Sequence, residues 1–197
     1  MSSTRASILL ASLIAPLLML TATTSSAAEQ ATRVRLETTM GNIVLALDRQ
    51  HAPETVDNFL AYVESGFYDG TIFHRVISNF MIQGGGYTAD MSRKQTRPPI
   101  KNEADNGLKN TRGSIAMART RDPHSASAQF FINVEDNDSL NYTAPNDRGW
   151  GYAVFGHVVE GMDVVDTIRA QATGVKAGFR DVPKKTITIK HAVVEAP

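Results

Sequence analysis

FHRVISNFMIQGGG, residues 73–86, is the stretch on which the interpretation of the whole chain depends. Apolar, cationic and amide side chains alternate in it, and it ends in three consecutive glycines, which allow another backbone to approach closely. The pattern of residues 71–77 predicts a β-strand that turns Arg75 toward the same face as Phe73 and Ile77. We therefore expect an apolar floor with one fixed cation and one amide at its rim.

Two later stretches, residues 113–119 and 129–134, also have the pattern of β-strands. In the second, alternation directs Gln129, Phe131 and Asn133 to one face and three apolar side chains to the other. Phe131 is therefore a candidate for the same apolar floor as the first stretch.

Taken together, FHRVISNFMIQGGG, GSIAMART and SAQFFINV resemble the signature of the cyclophilin family of peptidyl-prolyl cis-trans isomerases. The likeness runs from about residue 33 to residue 194, includes YAVFG at residues 152–156, and is strongest to the secreted bacterial branch. The resemblance implies a mainly β fold, a closed eight-stranded antiparallel β-barrel capped by two α-helices. It also implies an isomerase that needs no cofactor.

The resemblance assigns roles that spacing alone leaves open. By itself, a strand arginine between aromatic residues is more often an exposed edge cation or part of a structural ion pair than a functional group. In the resemblance, Arg75 acts on the prolyl bond, Gln83 anchors the substrate backbone with Gln129 as a polar partner, and His74 gives support by packing and hydrogen bonding. Phe73 is expected to remain in the core. The other substrate-binding positions that the resemblance implies are Phe80, Met81, Ala118, Arg119, Thr120, Phe131, Leu140 and Tyr152.

Three positions depart from the pattern of many cyclophilins. Ser139 stands in place of tryptophan, Tyr152 in place of histidine and Arg119 in place of asparagine. Loss of the indole removes a pocket wall and an N–H donor, which argues against tight binding of cyclosporin. Arg119 predicts a preference for acidic residues near the substrate proline.

Composition excludes several other classes of function. The 197 residues are 42 % hydrophobic and 20 % charged, with a formal net charge of zero, so there is no basic footprint for nucleic acid. The absence of cysteine removes disulfides, thiolate metal sites and cysteine nucleophiles. The five histidines lack metal-ligand spacing, and no Gly-x-Ser-x-Gly or Gly-Lys-Ser/Thr motif occurs. We expect no metal, no cofactor and no nucleic-acid partner.

The first 28 residues have the three parts of a secretory signal peptide. Arg5 precedes an apolar run at residues 8–20, and a small polar stretch ends in Ser-Ala-Ala. The apolar run is shorter than the roughly 20 residues that a membrane-spanning helix needs, and Pro16 interrupts it. We therefore predict a cleavable signal at 1–28 and a single domain at 29–197, acting in the periplasm as a monomer without stable membrane association.

Local patterns predict the remaining elements. Residues 34–38 and 43–47 form a hairpin, a helix starts at Pro53, and a second helix covers residues 162–170. Residues 186–189 form a last strand. Such an arrangement fits a barrel or a sandwich, and pattern alone does not choose between them.

Two functions remain open at this point. The first is an isomerase that accelerates rotation about X-Pro bonds in exported polypeptides, through non-covalent stabilisation of the transition state by Arg75. The second is a chaperone module on the same fold, which binds unfolded or flexible proline-containing segments without significant turnover. The presence of Arg75 together with the apolar positions favours the enzyme.

Overall fold

The computed structural model describes residues 31–196, so the predicted signal peptide at 1–28 lies outside the described residues. Within 31–196 the chain forms ten strands, two α-helices and one 3-10 helix. The helices are α1 Pro53–Glu64, α2 Met162–Arg169 and the 3-10 helix Asp138–Leu140. The strands are β1 Arg33–Thr38, β2 Gly41–Leu47, β3 Arg75–Ile77, β4 Met81–Gly84, β5 Ser114–Met117, β6 Phe130–Asn133, β7 Val154–Glu160, β8 Thr173–Lys176, β9 Phe179–Pro183 and β10 Ile189–Val194.

Eight of these strands make one antiparallel sheet in the order β10-β1-β2-β7-β5-β6-β4-β3, which curls into a half-barrel. The prediction of a closed barrel is wrong, because no ladder joins the edge strands β3 and β10. β3 has only three residues, and the segment before it contacts the other edge through an isolated bridge between Ile72 and Thr188. The Phe73 amide donates to the Ile187 carbonyl oxygen at 2.9 Å beside that bridge.

The predicted β1–β2 hairpin and both α-helices are confirmed, with boundaries within two residues of those expected. Pro53 is the first residue of α1, where its missing N–H costs no helical hydrogen bond. The apolar face of α1 covers the core, and the Phe59 ring lies edge-on to Phe130 with centroids 5.7 Å apart. The predicted mainly β fold with two helices is therefore correct.

β6 shows the predicted alternation of faces. Phe130, Ile132 and Val134 belong to the main core, whereas Phe131 lies in a separate cluster on the other face. The alternation predicted through residues 71–77 is wrong at its start, because the chain leaves strand geometry at residues 73–74. Phe73 therefore lies in the main core, as the resemblance implies, and does not share the face of Arg75.

The hairpin formed by β8 and β9 lies outside the eight-stranded sheet and was not predicted. It packs against β3, where Val182 contacts a small cluster with Ile72 and Met91. The long connection between β4 and β5 contains isolated bridges and no named helix or strand. Among residues 31–196, no helix has both the length and the apolarity to cross a membrane.

Candidate active site

The apolar face of the sheet opposite the main core carries a cluster, which we call the apolar site cluster. It lies over the central strands β4, β5 and β6, because alternate residues of these strands face the core. It brings together six of the predicted binding positions: Phe80, Met81, Ala118, Phe131, Leu140 and Tyr152. Ile77, which alternation placed on the face of Arg75, also belongs to it, whereas sequence reasoning did not assign the remaining members to the site: Leu108, Ala116 and Val154.

Phe131 forms the floor of the apolar site cluster and is almost fully buried. The Tyr152 ring stands edge-on to it with the centroids 5.6 Å apart, so Tyr152 forms one wall. Leu140 comes from the 3-10 helix, and its carbonyl oxygen accepts the Tyr152 amide at 2.9 Å. Tyr152 and Leu140 are only partly buried, which leaves the cluster accessible to a ligand.

A buried amide network holds the 3-10 helix against the sheet. The Asn133 side chain, which is fully buried, donates to Asn110 Oδ1 at 3.1 Å and to Ser114 Oγ at 2.9 Å. Its Oδ1 accepts from Asn137 Nδ2 at 2.7 Å, and Asn137 in turn donates to the Phe80 carbonyl oxygen at 2.8 Å. Alternation placed Asn133 on the face of Phe131, but sequence reasoning missed this bracing role, since an isolated asparagine gives no signal for it.

Arg75, Gln83 and Gln129 form a row beside the apolar site cluster. Arg75 and Gln83 are paired residues of β3 and β4, and Gln83 is paired with Phe131 of β6. Arg75 Nη1 lies 3.5 Å from Gln83 Oε1, and Gln83 Nε2 donates to Gln129 Oε1 at 3.1 Å. A side chain at Gly86 would collide with Gln129, so this glycine makes room for the row. The cation and the amide expected at the rim therefore lie side by side next to the apolar site cluster.

A polar cavity of about 180 Å³ opens beyond Gln129, lined by Gln83, Tyr87, Arg93, Ala118, Arg119, Thr120, Ser125, Ser127 and Gln129. Of the predicted positions, Ala118 belongs both to the apolar site cluster and to this cavity, whereas Arg119 and the exposed Thr120 line the cavity. Arg119 Nε donates to the Gly151 carbonyl oxygen at 2.8 Å, and its guanidinium lies 4.6 Å from the centre of the Tyr152 ring. The cavity has two arginines and no carboxylate in its lining.

His74 lies apart from the apolar site cluster. It is buried, packs against Tyr87 with ring centroids 4.7 Å apart, and its Nδ1 has no hydrogen-bond partner among the described residues. Burial lowers the pKa of His74 from 6.5 to about 4; a hydrogen bond with the Ile72 backbone opposes this shift and the nearby Arg75 charge adds to it. His74 is therefore neutral at physiological pH and packs against Tyr87, and its support of Arg75 stays a prediction.

The lowered pKa of His74 predicts a loss of stability in acid. The unfolded state binds a proton as the pH falls below 6.5, whereas the folded state does not until about pH 4, so stability is lost across that window. We expect the unfolding free energy of the parent to fall by about 3 kcal/mol more than that of His74→Gln between about pH 7 and pH 4. Urea titrations at several pH values measure this difference.

The matched control is His157→Gln, at an exposed position of β7. It should keep the full pH dependence of the parent. Equal pH dependence of the parent and His74→Gln would show that His74 is protonated in the folded state at its ordinary pKa.

No group of three or more His, Asp or Glu side chains within residues 31–196 is arranged to hold a metal ion. The side chains of the site are instead a guanidinium, amides and apolar groups. Such a set can bind a neutral ligand and stabilise developing charge without forming a covalent bond.

Comparison with known proteins assigns this site to a family. Residues 33–194 match the family described as cyclophilin type peptidyl-prolyl cis-trans isomerase/CLD. The chain belongs to this family. The cyclophilin match covers all ten strands and both α-helices, and it makes the chain a peptidyl-prolyl cis-trans isomerase.

Individual relatives agree with the cyclophilin assignment. Peptidyl-prolyl cis-trans isomerase cyp18 of Streptomyces antibioticus is 62 % identical over 161 residues, which cover 82 % of this chain and 97 % of that protein. Peptidyl-prolyl cis-trans isomerase B of Escherichia coli is 58 % identical over 161 residues, covering 82 % and 98 %. A cyclophilin of Cryptosporidium parvum, solved in the presence of the dipeptide Ala-Pro, superposes with a TM-score of 0.68 at 28 % identity, covering 84 % of this chain and 99 % of its own.

The cyclophilin fold explains where the three departures fall. Ser139 is exposed in the 3-10 helix at the edge of the apolar site cluster, so the missing indole leaves that edge open. Tyr152 fills a wall of the cluster, and Arg119 stacks on it. The departures therefore lie around the rim of the cluster, and Arg119 lines the same polar cavity as Gln83.

Proposed function

We propose that this cyclophilin accelerates cis-trans isomerisation of X-Pro bonds in exported polypeptides, with Arg75 stabilising the transition state. The observation that carries this proposal is a permanently charged guanidinium on an amide row at the rim of an accessible apolar cluster. No nucleophile, metal or cofactor is required.

The chemistry is rotation about one bond. The peptide C–N bond has a barrier of about 18 to 20 kcal/mol, because the nitrogen lone pair is delocalised into the carbonyl. In the twisted transition state the lone pair is localised on nitrogen, which becomes a better hydrogen-bond acceptor. A guanidinium that donates to this nitrogen binds the twisted state more tightly than either planar state, and only such differential binding accelerates the reaction.

The residues around Arg75 bind the proline ring and orient the peptide backbone on either side of it. Phe80, Met81, Phe131 and Leu140 present apolar surface that suits the faces of a proline ring. Gln83 and the backbone at residues 118–120 offer hydrogen-bonding groups to the chain on either side of the proline. Holding both sides while the bond between them rotates is what the reaction requires.

Several observations support proline-containing peptides as partners. The similar structure from Cryptosporidium parvum was solved in the presence of Ala-Pro, and the apolar site cluster is accessible. The formal net charge of zero gives no support to a nucleic-acid partner.

An export role is supported by the N-terminal sequence. A short apolar run behind Arg5, followed by small residues up to position 28, is typical of a cleavable signal peptide. We infer that residues 29–197 act in the periplasm, on chains that fold after crossing the inner membrane. Detection of a mature chain starting at Glu29 in a periplasmic extract would test this inference, and retention of the full chain in the cytoplasm would contradict it.

The direct test of the enzyme against a binding-only chaperone is relaxation of a short Ala-Pro peptide. Residues 29–197 at catalytic concentration should accelerate exchange between the isomers, which takes tens to hundreds of seconds unaided. Circular dichroism verifies folding in the same sample. A folded chain that binds the peptide without accelerating exchange would favour the chaperone module.

The polar cavity leads to a prediction about substrate preference. A glutamate within a few residues of the proline can reach Arg119 and Arg93, whereas a lysine there is repelled. We expect about a fivefold higher kcat/KM for the glutamate peptide than for a matched lysine peptide, with the difference shrinking at high salt. Arg119→Gln should reduce the preference, and equal catalysis of both peptides by the parent would disprove it.

A further inference from the structure

The β8–β9 hairpin is held firmly against the strand that carries Arg75. Val182 and Pro183 are buried, and the Phe179 ring lies edge-on to Tyr87 with centroids 5.1 Å apart. Lys176 Nζ also donates to the Ala89 carbonyl oxygen at 2.8 Å. The hairpin is therefore fixed by both apolar and polar contacts, although it belongs to a separate sheet.

Asp181 of this hairpin has an unusual backbone conformation. Its φ of 61° lies in the left-handed region, which costs free energy for any residue with a Cβ, although Asp and Asn tolerate it better than most. Asp181 Oδ2 lies 3.9 Å from Arg75 Nε. A strained backbone at a residue whose carboxylate faces the reactive cation is the pattern found at functional sites.

The two partners of Arg75 contact different nitrogens of its guanidinium. Gln83 lies at Nη1 and Asp181 at Nε, while Nη2 has no partner within residues 31–196. The Arg75 side chain is 40 % exposed and has many rotamers, so either long contact alone would leave it free to turn. Together they restrict the guanidinium more than either contact does alone, and they leave the Nη2 edge for the substrate.

We propose that Asp181 is a positioning residue, which orients Arg75 for transition-state stabilisation from the side opposite Gln83. This inference rests on the proposed role of Arg75. A nearby carboxylate also weakens the positive field, but both side chains are exposed by about two fifths, so solvent screens that effect. Orientation therefore dominates, and loss of the carboxylate lowers activity.

Two variants separate the carboxylate from the backbone strain. Asp181→Asn keeps a residue that tolerates the left-handed region and removes the charge, whereas Asp181→Gly removes the side chain and relieves the strain. We expect both to lower kcat by about fivefold with KM nearly unchanged, since misorientation affects the transition state more than peptide binding. Glu64→Gln, at the exposed end of α1, is the matched control and should retain parental kinetics.

A double-mutant cycle tests whether Asp181 acts through Arg75. In an Arg75→Ala background, adding Asp181→Asn should leave the residual rate unchanged, because the group it positions is absent. An NMR order parameter for the Arg75 Nε–H vector should also fall in Asp181→Asn relative to the parent. This second measurement does not depend on activity, so it tests the positioning even if the parent proves to be no isomerase.

Three results would overturn the positioning role. The first is a kcat of Asp181→Asn that lies within twofold of the parental value or above it. The second is a loss of kcat in Asp181→Asn that Asp181→Gly does not share. The third is an unchanged NMR order parameter at Arg75 in Asp181→Asn. An inactive parent would instead refute the proposed function, because the parent still carries Asp181 and its inactivity could not result from a change there.

Discussion

Replacement of Arg75 by alanine is expected to lower kcat/KM for an Ala-Pro peptide by about 100-fold or more, while peptide binding changes little. In the proposed mechanism the guanidinium donates to a nitrogen that accepts well only in the twisted state, so its loss removes transition-state stabilisation and spares ground-state contacts. Isomerisation kinetics and peptide titration on the same samples measure the two effects. Arg75 is half-buried at a sheet edge, so the variant should fold.

Arg49→Ala is the matched control, since Arg49 is an exposed arginine paired with Asp57 away from the site. It should retain parental kinetics. The kcat/KM of the parent should also stay nearly constant between about pH 5.5 and pH 9, because arginine remains protonated throughout. A rate that follows a titration near pH 6.5, with folding intact, would transfer the catalytic role to a histidine.

Asn133→Ala is expected to lower the unfolding free energy by about 3 kcal/mol. The substitution removes two donated hydrogen bonds and one accepted bond in a fully buried position, and it leaves Asn110, Ser114 and Asn137 without those partners. The 3-10 helix that carries Leu140 then loses one of its ties to the sheet, the hydrogen bond from Asn137. Activity should therefore fall mainly through a higher KM.

Urea unfolding measures the stability of Asn133→Ala, and peptide kinetics measure its KM. Asn42→Ala is the control, since Asn42 lies exposed on β2 and should lose less than about 0.5 kcal/mol. If Asn133→Ala lowers the unfolding free energy no more than Asn42→Ala does, water must replace the hydrogen bonds of the Asn133 side chain. A large loss of stability with an unchanged KM would show that Asn133 stabilises the fold without affecting peptide binding.

Much of the fold could be predicted from local sequence pattern. Pro53 starts α1, and the alternation of Phe130 and Phe131 assigns one to the core and the other to the site, because burial imposes a period of two on a strand. Closure of the barrel could not be predicted in this way. It depends on whether distant edges pair, and the interrupted strand geometry at residues 73–74 leaves β3 too short for a ladder with β10.

The site residues, too, could be predicted only where a continuous sequence motif contains them. Residues in continuous motifs, such as Phe80, Met81 and Gln83, could be assigned because the resemblance covers them as one stretch. Leu108 and Asp181 come from a long loop and from an unpredicted hairpin, and tertiary packing alone brings them to the site. No local pattern reports a contact between residues so far apart in the chain.

Arg75 lies on an edge strand that has a single ladder partner, whereas Met81, Ala116 and Phe131 lie on strands paired on both sides. Backbone hydrogen bonds at such an edge can break with little loss elsewhere, so its amides exchange with solvent through local opening, while those of central strands are released only by wider unfolding. The apolar site cluster therefore lies mainly on strands that are paired on both sides. We therefore expect the β3 amides beside Arg75 to exchange faster than the amides of β5 and β6, which carry the apolar site cluster.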